Sequence, residues 1–189
     1  MRYPKDHKEQ VRQQLLAQSG SHAKKHGFSA SGVDALAGAA GVTTGSLYKH
    51  FENKKALFSA LVKAELDQTV RGFLDIEAGD TAAMIKALSG YLSMSHVLSP
   101  ETGCPAPSLA ADVARSGDEV RQAFEAGILD FKNVLKDFTG SDQTAWTLIA
   151  QNVGAVMIAR AMFNESVQRE LVSAVRASVA DIVTGPLKP

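Results

Sequence analysis

Apolar residues along this chain recur at intervals of three and four rather than two, and no alternating run marks a strand. The pattern predicts a first helix over 6–26, with Val11, Leu15, Leu16 and Ala23 on one face. Gly27 is placed to end it as a left-handed C-terminal residue. Ser31, with Asp34 three positions on, reads as an N-cap close to a capping box and opens a short helix to Ala40. Gly41 stops that helix, Thr43 caps a second short one through His50, and Asn53 caps a long one from Lys54. The long helix is amphipathic, carrying Leu57, Phe58, Leu61, Val62 and Leu66. Further helices are expected at about 81–98, from Ser108 or nearby after a loop holding 103–107, and over 118–138, 142–163 and 165–183. The expected fold is all-α, with about nine helices and no internal repeat, low-complexity segment or flexible linker.

Composition narrows the class without naming it. Hydrophobic residues make up 45% and charged residues 21%, the balance of a folded globular chain, which excludes disordered and collagen-like classes. The best uncharged apolar run, Val153 to Ala159, is broken by Arg160 and falls far short of the roughly 18 residues of a membrane span. The polar start, Met1-Arg2-Tyr3-Pro4-Lys5-Asp6, does not read as a signal peptide. One cysteine, Cys104, suits a reducing compartment. The expectation is a cytoplasmic protein with no membrane contact.

Net charge is zero, but its distribution is uneven. Residues 1–65 carry ten Lys/Arg against five Asp/Glu, and residues 66–189 carry ten against fifteen. That asymmetry points to a head for a polyanion, 1–65, on a body with other duties, 66–189.

Residues 33–51 carry the physics of a helix-turn-helix. Ala37 is small where two short helices must cross, and Gly41 supplies the positive φ of the sharp turn. Leu36, Ala40, Val42, Leu47 and Phe51 form a miniature core. Thr43, Thr44, Gly45, Ser46, Tyr48, Lys49 and His50 are left on the outer face of the second helix. Short hydrogen-bonding groups, a bare backbone, a phenol and cationic groups suit a helix whose N-terminus enters the major groove while its sides touch phosphates.

Gly27-Phe28, Val33-Asp34-Ala35-Leu36-Ala37, Ala40-Gly41-Val42 and Gly45-Ser46-Leu47-Tyr48-Lys49-His50-Phe51, with Lys54 and Leu57, resemble the N-terminal domain of the TetR/AcrR family of transcriptional repressors over roughly residues 8–60. The resemblance implies a homodimer with two heads on double-stranded operator DNA. It also implies a helical C-terminal body that binds a small-molecule effector and serves dimerisation. By matching position, Thr44, Gly45, Tyr48, Lys49 and His50 would touch DNA, with Thr43 at the same helix start. Lys54 and Ser31 would reach phosphates. Gly32 departs from the family, which more often has Ser or Thr there. Lys24, Lys25 and Lys55 read as solvated surface.

In the body, Gly103-Cys104-Pro105 followed by 109–114 resembles a subgroup with a Gly-Cys-Pro segment before the sixth helix, some members of which sense electrophiles or oxidants through that cysteine. A thiol near a helix N-terminus gains thiolate character, and His96 is close enough in sequence to assist. The alternative is a small buried hydrophobe. Tyr91, Met94, His96, Cys104 and Phe131 are the expected cavity residues. With few basic residues in this half, a neutral, aromatic or electrophilic effector is favoured. Gly154, Ala155 and Ala159, with Val167, Leu171, Val175, Val179 and Ile182, suit either a four-helix interface between subunits or burial within one chain.

His22 and His26 have metal-ligand spacing without a third ligand, so neither metal nor cofactor is expected. A thiol-dependent enzyme using Cys104 and His96 is the rival from another class; no nucleophilic triad supports it, and no catalytic residue is assigned. A small-molecule-binding protein with a vestigial head is the third reading. The intact row Thr44, Tyr48, Lys49, His50 and Lys54 argues against it.

Overall fold

The computed structural model describes residues 5–77 and 79–185, the side chains of 5–7 excepted. Those residues form ten α-helices: α1 Lys5–His26, α2 Val33–Ala39, α3 Thr44–Leu47, α4 Lys54–Leu74, α5 Thr81–Tyr91, α6 Met94–Leu98, α7 Ala106–Ala114, α8 Asp118–Thr139, α9 Asp142–Ala161 and α10 Glu165–Thr184. A 3-10 turn, Pro100–Thr102, precedes α7, and no strand occurs among the described residues. None of the described helices is long and apolar enough to cross a membrane.

Local chemistry explains most boundaries. Gly27 ends α1 at φ +81°, and Gly41 turns the chain between α2 and α3 at φ +70°, where a side chain would be strained. Thr43 and Asn53 cap α3 and α4 by accepting the backbone N–H of Ser46 (3.2 Å) and Ala56 (2.9 Å).

Four expectations are corrected. Ser31 does not cap α2: Gly32 stands there with no side-chain cap, while the Ser31 hydroxyl donates to the Gly27 carbonyl at 2.6 Å. The helix expected through His50 is α-helical only over Thr44–Leu47, after which 48–50 tighten into turns with three-residue hydrogen bonds. The stretch 81–98 is two helices, not one. Ser93 caps α6 by accepting the His96 N–H, and the freed carbonyls of Tyr91 and Leu92 are taken by the His96 ring and the Arg176 guanidinium. Finally, α7 begins at Ala106, inside the loop expected over 103–107, because Pro105 at the N-cap and Pro107 in the first turn sit where no N–H is needed.

A single apolar core runs from the helix-turn-helix through the body. In the head, α1 carries α2 and α3, with the Ser19 hydroxyl donating to the Leu36 carbonyl at 2.9 Å. Leu36, Ala37, Leu47 and Phe51 are buried as a miniature core. Phe28 stacks on Phe58 of α4 with ring centroids 3.9 Å apart. The most extensive helix pairing is α4 against α8. It is close because Gly127 lacks a side chain: a Cβ there would lie 2.7 Å from Leu66. Helix α4 is continuous across residues 65 and 66, so the head and the body share one helix.

Gly127→Ala is expected to destabilise the chain by about 1–3 kcal/mol through overpacking. Gly38→Ala, where a Cβ meets nothing within 4 Å, is expected to be neutral or to stabilise by up to about 1 kcal/mol. Urea unfolding of the two variants checks both.

Candidate functional site

Two regions bring chemistry-bearing residues together. The first is the outer face of α3 and the turns after it. Thr43, Gly45, Tyr48 and Lys49 are exposed, Tyr48 to 44%, while Leu47 beneath them is wholly buried. The Thr44 hydroxyl donates to the Asp34 carboxylate of α2, fixing the two helices' relative rotation. His50 is half-buried, and its Nδ1 is enclosed without a partner. Burial, then the nearby charges of Lys8 and Arg12, hold its imidazole below the usual histidine range. Arg12 also lies over the Phe51 ring at 5.1 Å, so α1 adds cationic groups beside the turn that the motif alone did not indicate.

Two expected phosphate contacts are differently placed. Ser31 is buried with its hydroxyl on the Gly27 carbonyl, so it faces the interior. Lys54 donates to the Ser31 carbonyl at 2.6 Å and sits over the Phe28 ring at 5.0 Å, which makes it a brace for the turn before α2.

The second region is a cavity of about 650 Å³ where head and body meet, a volume within the usual range for ligand sites. Its wall draws Ala17 and Lys24 from α1, Glu65, Gln68, Thr69, Gly72 and Phe73 from α4, Ala87, Gly90 and Tyr91 from α5, and Ser93, Ser95, His96, Glu101, Thr102, Gly103 and Cys104 from the segment beyond. Of the five expected cavity residues, Tyr91, His96 and Cys104 line it. Phe131 is wholly buried against Phe73, one ring behind the wall, and Met94 packs on the core from α6 instead.

Lys24 corrects the expectation of a solvated lysine. Its side chain is 5% exposed, and its ammonium meets Glu65 Oε2 at 2.6 Å and the Gly103 carbonyl at 2.9 Å. Gly20 admits this arrangement: a Cβ there would sit 2.3 Å from Glu65 Oε1. Lys24 and Glu65 are 41 positions apart, so no local spacing could have paired them.

The Gly-Cys-Pro segment is explained by the same wall. His96 Nδ1 donates to the Tyr91 carbonyl at 2.7 Å, leaving Nε2 to accept the Cys104 N–H at 3.1 Å. Gly103 must lack a side chain, since a Cβ would fall 2.0 Å from the His96 ring. Both ring nitrogens are engaged by backbone groups, so His96 does not act as a base toward the thiol. Burial, with Arg160 and Lys24 nearby, holds the imidazole below its usual range despite the Tyr91 carbonyl.

Of the two alternatives for Cys104, an activated thiolate or a small buried group, the burial of its side chain favours the second. Burial pushes its thiol up, outweighing the Tyr91 hydroxyl, the Ala106 N–H at the helix start, Thr69 and Lys24, all of which favour the anion. Tyr91 lies beside the thiol; its own hydroxyl is pushed well above the usual phenol range by burial and has no partner in hydrogen-bond geometry.

Residues 16–61 match the sequence model of bacterial regulatory proteins of the tetR family. The head matches the tetR family. The whole chain has the fold of such regulators. It superposes on the reduced form of NemR from E. coli with a TM-score of 0.77 at 22% identity, covering 95% of this chain and 100% of that one. A TetR transcriptional regulator from Chloroflexus aurantiacus gives 0.74 at 19%, covering 94% and 96%. FadR from Bacillus subtilis, in complex with stearoyl-CoA, gives 0.69 at 16%, covering 92% and 98%. No curated protein matches the chain in sequence.

Two measurements test how this tetR-fold chain is held. Lys24→Met strands a buried carboxylate and is expected to cost about 3–5 kcal/mol, most of it restored in the double variant with Glu65→Leu. Chemical denaturation of the three proteins reads this out. His96 binds its proton more weakly folded than unfolded. Its contribution is thus intact above pH ~6.5 and is lost as pH falls below that value, because the unfolded chain then takes the proton. The drop in melting temperature between pH 7 and pH 5 should shrink in His96→Gln.

Proposed function

We propose that this chain is a ligand-responsive repressor that binds a palindromic operator as a homodimer and releases it when the cavity fills. The observation that carries this reading is that one helix, α1, serves both sites. Its Ser19 holds α2 of the helix-turn-helix, and its Ala17 and Lys24 form part of the cavity wall. Whatever enters the cavity touches the element on which the DNA-reading helices rest, and an effector shifts the equilibrium only by binding the two arrangements unequally.

On this reading Thr43, Thr44, Gly45, Tyr48, Lys49 and His50 present the start of α3 and its flank to the major groove and its phosphates, with Arg12 and Lys8 adding positive charge beside them. Lys54 acts by bracing the turn at Ser31. Tyr91, His96 and Cys104 form the effector wall with Lys24, Glu65 and Glu101. Cys104 faces the same space, so a thiol-reactive compound would occupy it too, though starting from a protonated sulfur.

The second copy is proposed to cover the outer face of α9 and α10. Met157, Ile158, Phe163 and Val167 are exposed there, Phe163 completely. Ala155 and Ala159, one of the alternatives drawn from the small residues, are buried within the chain, whereas Gly154 opens outward.

The test is to select a preferred duplex from random DNA at fixed salt and measure affinity by fluorescence anisotropy. Wild-type protein should select a palindrome with half-sites about 34 Å apart. Tyr48→Ala with Lys49→Ala should weaken binding by at least about tenfold, and Lys49→Ala alone should lower the slope of log affinity against log salt by about one. Unchanged operator affinity in the double variant would overturn the reading.

A further inference from the structure

Two polar atoms in the cavity wall are enclosed without any hydrogen-bond partner: Tyr91 Oη and Glu101 Oε2. Both residues line the same space, and Tyr91 is 7% exposed. Buried polar atoms are nearly always paired, so two orphans facing one cavity call for a partner that enters it. The charges in the wall say which kind. Lys24 is the only Lys or Arg among the cavity-lining residues, and it is held by Glu65 and the Gly103 carbonyl. Glu101 makes no ion pair among the described residues, although the Arg160 guanidinium is near enough for the two charges to interact. Arg160, behind the wall, gives its guanidinium to the His96 and Val97 carbonyls and the Ser108 hydroxyl. The wall thus holds one carboxylate more than it holds cations. Its remaining surface is apolar or small, with Ala17, Gly72, Phe73, Ala87 and Gly90.

We propose that the cavity takes a cationic amine with an apolar body, its ammonium on Glu101 and a hydrogen bond to the Tyr91 oxygen. A carboxylate in such a wall is matched by a charge-assisted donor and repels an anion. Phe73 and the small residues of α4 and α5 receive the apolar end. This replaces the neutral, aromatic or electrophilic effector favoured by the scarcity of basic residues, since that count overlooked a lining carboxylate that makes no ion pair. The inference rests on the reading of the cavity as the effector site, and the experiment separates the two.

Full-length protein is titrated calorimetrically with size-matched sets, phenethylamine, 2-phenylethanol and 3-phenylpropionate and their naphthyl homologues, with thermal shift and operator anisotropy in parallel. The amines should bind at least about tenfold more tightly than the alcohols and carboxylates. Glu101→Gln, nearly isosteric and with an unchanged melting temperature when unliganded, should remove most of that preference while leaving alcohol binding within about twofold. Tyr91→Phe should weaken the amines by a smaller factor. Carboxylates or alcohols binding as well as the amines, or a preference that survives Glu101→Gln, would overturn the proposal. If amines bind through Glu101 yet leave the operator complex intact, the ligand class stands and the effector reading falls. If a different compound releases the operator and Gly72→Leu, which fills the cavity, abolishes that response while no amine binds, the effector reading stands and the amine falls.

Discussion

The junction of head and body depends on one buried ion pair. Lys24 leaves α1, meets Glu65 of α4 and finishes on the Gly103 carbonyl, so three separate stretches converge on a single ammonium. Such a pair adds little net stability over an apolar equivalent, but it penalises any arrangement in which one member is left alone. It therefore fixes how α1 lies along α4 and where the loop before α7 is drawn in. Four residues later, the Phe28 N–H donates to the Asp112 carboxylate of α7 at 2.9 Å. Burial opposes ionisation of Asp112, yet hydrogen bonds from Ser29 and Phe28 and from Arg115 hold its carboxyl below the usual range. The C-terminal end of α1 is thus fastened to the body at two points on either side of Gly27.

These fasteners explain why the Gly-Cys-Pro segment reads as a motif. The glycine carbonyl receives Lys24, the bare Cα makes room for His96, the cysteine N–H satisfies the His96 ring, and the proline starts α7. The glycine and the proline are required by backbone geometry, whereas the cysteine supplies only an N–H that any residue but proline carries. The sulfur itself takes no part in these contacts, which is why its placement in the cavity and its chemistry are separate questions.

Helix periodicity, caps and the helix-turn-helix were legible because they are local. Gly27, Gly41, Thr43 and Asn53 each act within four residues of their own position. The division of 81–98 was not legible, because it depends on Arg176 and His96 taking the freed carbonyls, one of them from 84 positions away. For the same reason three of the five expected cavity residues could be found near the motif, whereas Lys24 and Glu65 could not; Glu101, two residues before Gly103, was within reach of the motif and was missed. A lysine in a basic helix turn looks solvated until the fold brings a carboxylate to it. Phe131 and Met94 were apolar residues at helical spacing, and nothing in the pattern separates the lining of a cavity from the layer behind it.

The continuity of α4 has a mechanical consequence. Its 21 residues span about 30 Å, with the Phe28–Phe58 stack near one end and Thr69 to Phe73 in the cavity wall at the other. A stiff rod anchored by the α8 packing behaves as a lever whose arms differ in load. A tilt of about 5° about the Leu66 contact, roughly 18 Å from Lys54, displaces the head end of the helix by about 1.6 Å, a distance shorter than a hydrogen bond. In the two-fold assembly proposed above the displacement would double, to about 3 Å against a half-site spacing of about 34 Å, roughly one eleventh of a helical turn. Angular play too small to disturb the core around Gly127 therefore changes the spacing of two α3 helices by a distance that a proposed groove contact would register.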